Sequence, residues 1–88
     1  MDGLRYKKYI NLREMIPGIE GTVVDINAGP VLKRKLYSMN IRPGKKIKKI
    51  SDFWGTPIVI KVDDCVYALG RGITNKIIVG YNEIDEEP

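Results

Sequence analysis

The stretch PVLKRKLYSMNIRPG, residues 30–44, joins a proline-started helical pattern to a Pro-Gly pair. Proline suits the first position of a helix, because the N–H that it lacks would have no partner there. Three apolar residues, Leu32, Leu36 and Met39, follow at spacings of four and three, which places them on one helix face. The pattern therefore predicts a helix over Pro30–Met39 with one apolar stripe turned toward a core.

The two faces of this helix differ in their expected burial. We expect Leu32 and Leu36 to pack against the core, and the basic side chains of Lys33 and Lys35 to face solvent. Asn40 follows the last apolar residue, and asparagine tolerates the left-handed backbone conformation that often ends a helix. The helix is therefore expected to stop at Asn40.

Pro-Gly pairs stand at Pro17-Gly18 and Pro43-Gly44. Proline fixes φ at the second position of a turn, and glycine supplies the positive φ that a type II turn needs at its third position. Aliphatic β-branched residues follow each pair, so strands are expected at Gly18–Asn27 and Lys45–Ser51. The two isoleucines of the second strand lie three residues apart instead of two, which predicts a β-bulge.

Three more strands are expected in the second half of the chain. Pro57–Val62 alternates between two faces and Cys65–Leu69 returns as its partner, with a hairpin turn at Asp63-Asp64. A single 3-10 turn over Ile73–Lys76 then precedes a last strand at Ile77–Val79. With about five strands and one short α-helix, the chain is predicted to be mostly β, as a small SH3-like β-barrel.

Length and charge divide the chain into one folded domain and two ends. The 88 residues, 43% hydrophobic, suffice for one compact core. We expect a loose basic arm over residues 1–8, the barrel over residues 9–82 and an acidic tail over residues 83–88. Val31–Ile50 holds eight Lys/Arg and no Asp/Glu, and without the four tail acids the net charge of +4 would be +8. Such a basic body favours encounter with nucleic acid, an acidic protein surface or anionic lipid headgroups.

The residue types present argue against an enzyme or a metalloprotein. The chain has no histidine and a single cysteine, Cys65, which is expected to be a small buried hydrophobe. Adjacent Asp63 and Asp64 are ordinary turn residues, so no metal site and no cofactor are expected. No apolar run approaches the roughly 20 residues that span a bilayer, and no apolar signal-peptide segment follows Met1. A cytoplasmic protein without catalytic activity is therefore expected.

Several short motifs occur along the chain in a particular order. They are MIPG and GTV (15–18 and 21–23), the helix-to-turn stretch 33–44, GTPI (55–58), and YAL with IIV (67–69 and 77–79). In order and spacing they resemble the FeoA family, the small cytoplasmic partner of the ferrous iron transporter FeoB, and the related SH3-like domain of iron-dependent repressors. The resemblance implies a non-enzymatic accessory protein of iron uptake. It would bind the cytoplasmic part of FeoB and be recruited to the inner face of the membrane.

The candidate partner surface combines basic and aromatic side chains. Tyrosine, tryptophan and arginine are the residues that most often anchor protein interfaces. Because the FeoA resemblance implies a contact with FeoB, we place that contact on the predicted helix and on the aromatic loop before Pro57. The candidate residues are Lys33, Arg34, Tyr37, Arg42, Phe53 and Trp54. For Tyr37, the alternative is that its ring simply covers the core.

Two other functions stay open at the level of sequence. Lysines beside aromatic residues are typical of a barrel that binds RNA or DNA, and here they are Lys45, Lys46, Lys48 and Lys49 beside Phe53-Trp54. The same lysines also suit an edge strand, where they discourage pairing between molecules. The third function is that of a stand-alone regulatory domain, which would bind a proline-rich or extended segment of a larger protein.

Overall fold

The computed structural model describes residues 6–82, so residues 1–5 of the expected arm and all of the expected tail, 83–88, lie outside the described range. The elements in chain order are β1 (Lys8–Asn11), a 3-10 helix (Leu12–Glu14), β2 (Glu20–Ile26), α1 (Pro30–Ser38), β3 (Lys46–Ser51), β4 (Ile58–Val62), β5 (Cys65–Leu69), α2 (Arg71–Thr74) and β6 (Ile77–Tyr81).

The strands form one sheet in the order β1-β6-β2-β3-β4-β5, and every neighbouring pair is antiparallel. This arrangement confirms the predicted fold, which is mostly β and SH3-like with one short α-helix. The sheet has six strands instead of about five, and it ends at β1 and β5 without closing into a barrel.

β1 is the strand that the sequence pattern did not indicate. Lys8 pairs with Tyr81 and Asn11 pairs with Ile78, so this segment extends the sheet beyond β6. Its four residues, KYIN, include only two apolar side chains and show no strand pattern of their own. The segment becomes a strand because β6 offers it a row of hydrogen-bonding groups.

The core is aliphatic, and α1 covers it through the predicted stripe. Leu36 is 1% exposed, and Ile41, just beyond the helix, is fully buried. Leu32 packs against the core but is only partly buried, so it is less enclosed than expected. Lys35 is exposed as expected, whereas Lys33 is half-buried.

The predicted turns are present, and they place the end of α1. Gly18 and Gly44 have φ values of +95° and +96°. In both Pro-Gly turns the N–H of the fourth residue donates to the carbonyl of the first, at 3.2 and 3.1 Å. Asn40 has the expected left-handed φ of 68°, and its side-chain amide donates to Asp63 Oδ2 at 2.6 Å. This bond ties the end of α1 to the turn between β4 and β5.

The predicted bulge is found in β3, just after Lys49. The register between β3 and β4 shifts between Lys49 and Ser51. Ile47 and Lys49 both point inward and are fully buried, whereas Ile50 is 42% exposed. Lys49 is therefore not available to bind nucleic acid, because inward positions alternate from Ile47. The alternative of an edge strand is wrong, since β3 lies between β2 and β4.

Two local expectations are wrong. Cys65 is exposed and not buried, because it begins β5, which pairs with β4 on one side only. The turn expected at Ile73–Lys76 is an α-helical turn that begins two residues earlier, at Arg71. The carbonyl of Gly70 accepts hydrogen bonds from Ile73 N and Thr74 N, both at 3.1 Å, which sets the start of the turn.

Candidate partner-binding surface

The helical part of the candidate surface lies in and just after α1. Arg34 and Arg42 are exposed and Lys33 is half-buried. Tyr37 is 39% exposed, so a large part of its ring stays at the surface and does not serve only to cover the core. This side of α1 therefore presents an aromatic ring among basic side chains.

The aromatic part of the candidate surface is a tight turn. Thr56 N donates to Phe53 O at 3.0 Å, and Gly55, at the third position, has a φ of +83°. These values are typical of a type II turn with Trp54 at its second position. Trp54 is 93% exposed and Phe53 is 69% exposed. Glycine is required at position 55 because other residues rarely adopt that φ.

The structure does not bring the two parts together. Asn40, at the end of α1, contacts Asp63 in the turn that follows β4. The turn with Trp54 comes before Ile58, at the other end of the same strand. A five-residue strand is roughly 13 Å long at about 3.3 Å per residue. The two parts are therefore separate surfaces on opposite ends of the β4–β5 hairpin.

A partly buried ionic cluster, which the sequence did not indicate, lies beside the aromatic turn. The ammonium of Lys49, fully buried, forms an ion pair with Asp52 at 2.5 Å. It also donates to the backbone carbonyls of Arg13 and Met15, at 2.8 and 2.6 Å. Arg71 Nη2 completes the cluster at 2.5 Å from Asp52 Oδ1. The cluster joins three segments that are distant in the chain, residues 13–15, residues 49–52 and Arg71.

This cluster sets both the charge of Asp52 and the position of the turn. The hydrogen bond from Lys49, and next the one from Arg71, hold the pKa of Asp52 below its ordinary value, because both favour the ionised carboxylate. Arg71 Nη2 also donates to Phe53 O at 2.8 Å. The carboxylate and the guanidinium thus hold the backbone just before Trp54.

One signal in the sequence could have indicated the buried lysine. Ile47 and Lys49 are two residues apart, so strict alternation places both side chains on the inward face of β3. The carboxylate three residues later, Asp52, is the partner that such a lysine needs. Arg71 carries no comparable signal, because only the tertiary structure brings it beside Asp52.

A lysine-rich cleft lies on the outward face of the sheet. Lys48 stands opposite Lys61 on β4 and opposite Glu20 on β2. The cleft has a volume of about 360 Å³, and the residues that line it are Glu20, Lys46, Lys48, Lys61 and Asp63. Hydrogen bonds from Asn40, and then from Lys45, lower the pKa of Asp63. The cleft therefore contains three lysines and two acidic side chains.

Residues 6–82 provide neither a cluster of metal ligands nor a membrane-spanning helix. Among residues 6–82, no group of three or more His, Cys, Asp or Glu side chains could hold a metal ion. No helix in that part of the chain is long and apolar enough to cross a bilayer.

Comparisons with known proteins relate the chain to one family and one fold. The model of the FeoA domain matches residues 10–80. Among solved structures, an iron uptake regulatory protein (FeoA) is 34% identical with a TM-score of 0.78, over 83% of this chain and 97% of that one. FeoA of Stenotrophomonas maltophilia, solved with zinc and described as an SH3 domain protein, is 17% identical with a TM-score of 0.71, over 80% and 88%. A comparison with curated sequences finds no match.

A regulatory protein shares the fold as well. A manganese-dependent transcriptional repressor is 22% identical with a TM-score of 0.78, over 88% of this chain and 43% of the repressor. At such low identity this match and the zinc-bound one show the SH3-like fold alone. The match to the FeoA model and the 34% identity to a FeoA protein show more. The chain belongs to the FeoA family, which is associated with ferrous iron transport.

Proposed function

We propose that this protein is a non-enzymatic accessory factor of ferrous iron uptake that binds the cytoplasmic part of a FeoB-type transporter. The protein would act in the cytoplasm at the inner face of the membrane. Membership of the FeoA family supports the connection to iron uptake. A binding role also suits a chain without histidine, since histidine is the side chain most often used for proton transfer in catalysis.

The observation that carries the choice of surface is the exposed ring of Tyr37 on α1. Tyr37 is 39% exposed, exposed Arg34 lies three residues before it on α1, and exposed Arg42 follows the helix. Aromatic and arginine side chains contribute most to the affinity of protein interfaces when a partner covers them. The helix itself is held by buried Leu36, so the surface exists before binding and little ordering is required.

The experiment is capture of the purified transporter cytoplasmic domain by the full chain, without lipid. Tyr37→Ala is expected to weaken the affinity about tenfold or more, because it removes a central aromatic anchor. Val66→Ser is the matched control, since Val66 is 61% exposed but lies on the edge strand β5. Equal affinities of Tyr37→Ala and the unmodified protein, or no capture at all, would contradict the proposal.

The second candidate function is binding of RNA or DNA, and the lysine-rich cleft is the observation that favours it. Lys46, Lys48 and Lys61 could neutralise phosphates, whereas Glu20 and Asp63 oppose them. In a gel shift with mixed RNA and DNA, this function requires affinity that falls steeply with salt and is lost in Lys46→Glu/Lys48→Glu. A complex with RNA or DNA that persists at moderate salt and is lost only in the lysine variant, together with failure to capture the transporter domain, would favour nucleic-acid binding over transporter binding.

A further inference from the structure

Four large apolar side chains are exposed at one end of the molecule, which we call the apolar end. They are Ile16 at 69%, Ile50 at 42%, Phe53 at 69% and Trp54 at 93% exposure. Single exposed apolar residues are common on soluble proteins, but an exposed cluster usually marks a site of contact. The apolar end is separate from the Tyr37 surface, whereas the lysine-rich cleft begins at Lys48, two residues before Ile50 on β3.

The backbone shows that these side chains belong to adjoining segments. Gly18 N donates to Lys49 O at 2.7 Å, so the turn that begins at Ile16 lies against β3 where Ile50 follows. The Lys49 ammonium is 2.6 Å from Met15 O and 2.5 Å from Asp52 Oδ2. Lys49 Nζ therefore holds both Met15, which precedes Ile16, and Asp52, which precedes Phe53.

The aromatic turn is ordered before any partner arrives. The carbonyl of Phe53 accepts from Thr56 N at 3.0 Å, from Thr56 Oγ1 at 2.8 Å and from Arg71 Nη2 at 2.8 Å. A preformed turn loses little conformational entropy on binding. Trp54 occupies the second position of this turn, at its apex, so it projects from the surface and does not line a groove.

The charge around the apolar end is positive. Exposed Arg13 belongs to a segment that contacts the cluster, and exposed Lys48 lies on β3 two residues before Ile50. Two exposed acids offset these cations, because Glu14 follows Arg13 in the 3-10 helix and Glu20 on β2 pairs with Lys48. The Lys49–Asp52–Arg71 cluster adds one net positive charge. An anionic surface therefore complements the apolar end.

We propose that the apolar end docks the protein onto the surface of an anionic lipid bilayer, with Trp54 and Phe53 entering the headgroup region. Tryptophan favours that region because its ring is apolar and its indole N–H can still meet water. Two adjacent tight turns with apolar tips suit a yielding lipid surface, and neighbouring cations add attraction to acidic headgroups. This inference goes beyond the proposed function, because it assigns a second surface with a different partner.

The experiment uses the fluorescence of Trp54, which is the only tryptophan of the chain. The full chain is titrated with vesicles of phosphatidylcholine and phosphatidylglycerol, and with vesicles of phosphatidylcholine alone. Trp54 emission is expected to shift to shorter wavelength with the anionic vesicles, because the ring leaves water. Partitioning should be at least about tenfold stronger than onto the neutral vesicles, and it should weaken as salt is added.

Variants connect the shift to the apolar end. Phe53→Ser should lower the partition coefficient by about tenfold, since an aromatic side chain no longer enters the bilayer. Val66→Ser again serves as the matched control and should leave the partition coefficient unchanged. Both altered side chains are largely exposed, so both variants are expected to keep the thermal melting of the unmodified protein, which is measured beside the titration.

Three results would overturn this inference. In the first, the protein fails to bind the anionic vesicles even at low salt. In the second, it sediments with them while Trp54 emission stays unchanged, which would indicate a contact through lysines alone. In the third, the transporter cytoplasmic domain shifts Trp54 emission without lipid, which would assign the apolar end to a protein contact. Capture that depends on Tyr37 is a separate measurement, so either proposal can fail while the other stands.

Discussion

At the scale of single residues, the most consequential interaction is the one between Lys49 and Asp52. A fully buried ammonium needs partners, because transfer of an isolated charge out of water is costly. Asp52 supplies the opposite charge at 2.5 Å, and two backbone carbonyls supply the remaining hydrogen bonds. The same carboxylate binds Arg71 and so positions the backbone before Trp54.

Replacing Asp52 by asparagine is expected to lower the free energy of unfolding at neutral pH by about 2–3 kcal/mol, since Lys49 loses a charged partner. The pKa of Asp52 is below its ordinary value of 3.8, so this contribution is present above pH 3.8 and is lost as the pH falls through the folded-state pKa. Chemical denaturation of Asp52→Asn at pH 7 and at pH 3 should therefore give a smaller difference from the unmodified protein at pH 3.

The control for this prediction is Asp64→Asn, because Asp64 is an exposed aspartate in the β4–β5 turn. Its free energy of unfolding is expected to stay within about 0.5 kcal/mol of the unmodified protein. A loss in Asp52→Asn that is the same at both pH values would show that packing, and not the charge on Asp52, is responsible.

At the scale of elements, α1 is attached through few side chains. Leu36 is the buried residue of the helix, and Leu32 is partly buried one turn before it. The end of the helix is held by Asn40, which adopts a left-handed conformation and bonds to Asp63. The position of the Tyr37 surface therefore depends on Leu36 and on this cap.

Leu36→Ala is expected to lower the free energy of unfolding by about 2–5 kcal/mol, because it leaves a cavity in the core. Leu32→Ala removes the same number of atoms from a partly buried site of the same helix, so its loss should be distinctly smaller. Urea denaturation monitored by circular dichroism measures both. Equal losses in the two variants would contradict the observed difference in burial.

At the scale of the whole molecule, the sheet holds the two proposed contact surfaces at opposite ends of the β4–β5 hairpin. Interactions at such a separation, without shared partners, are expected to be additive in free energy. With the transporter reconstituted in anionic vesicles, Tyr37→Ala and Trp54→Ser should each weaken binding, and the double variant should lose the product of the two factors. Binding of the double variant that equals either single variant would show that the two surfaces do not act independently.

The sequence by itself determined the elements whose conformations are local. Proline and glycine restrict φ within one residue, so Pro17-Gly18 and Pro43-Gly44 identified two turns. The spacing of apolar residues identified α1, the β4–β5 hairpin and the bulge of β3. The order of short motifs was sufficient for the family, and the exposed candidates Tyr37 and Trp54 were recognisable as surface aromatics of a basic protein.

Only the tertiary structure decided the features that depend on residues far apart in the chain. β1 is a strand because β6 pairs with it, although its own four residues carry no pattern. Arg71 reaches Asp52 from 19 positions away, and this contact orders the turn that carries Trp54. The candidate residues of α1 and of the aromatic turn fall on separate surfaces because β4 lies between them. The spacing of apolar residues predicts on which face of a helix or strand a side chain lies. It does not predict which distant segment of the chain packs against that face.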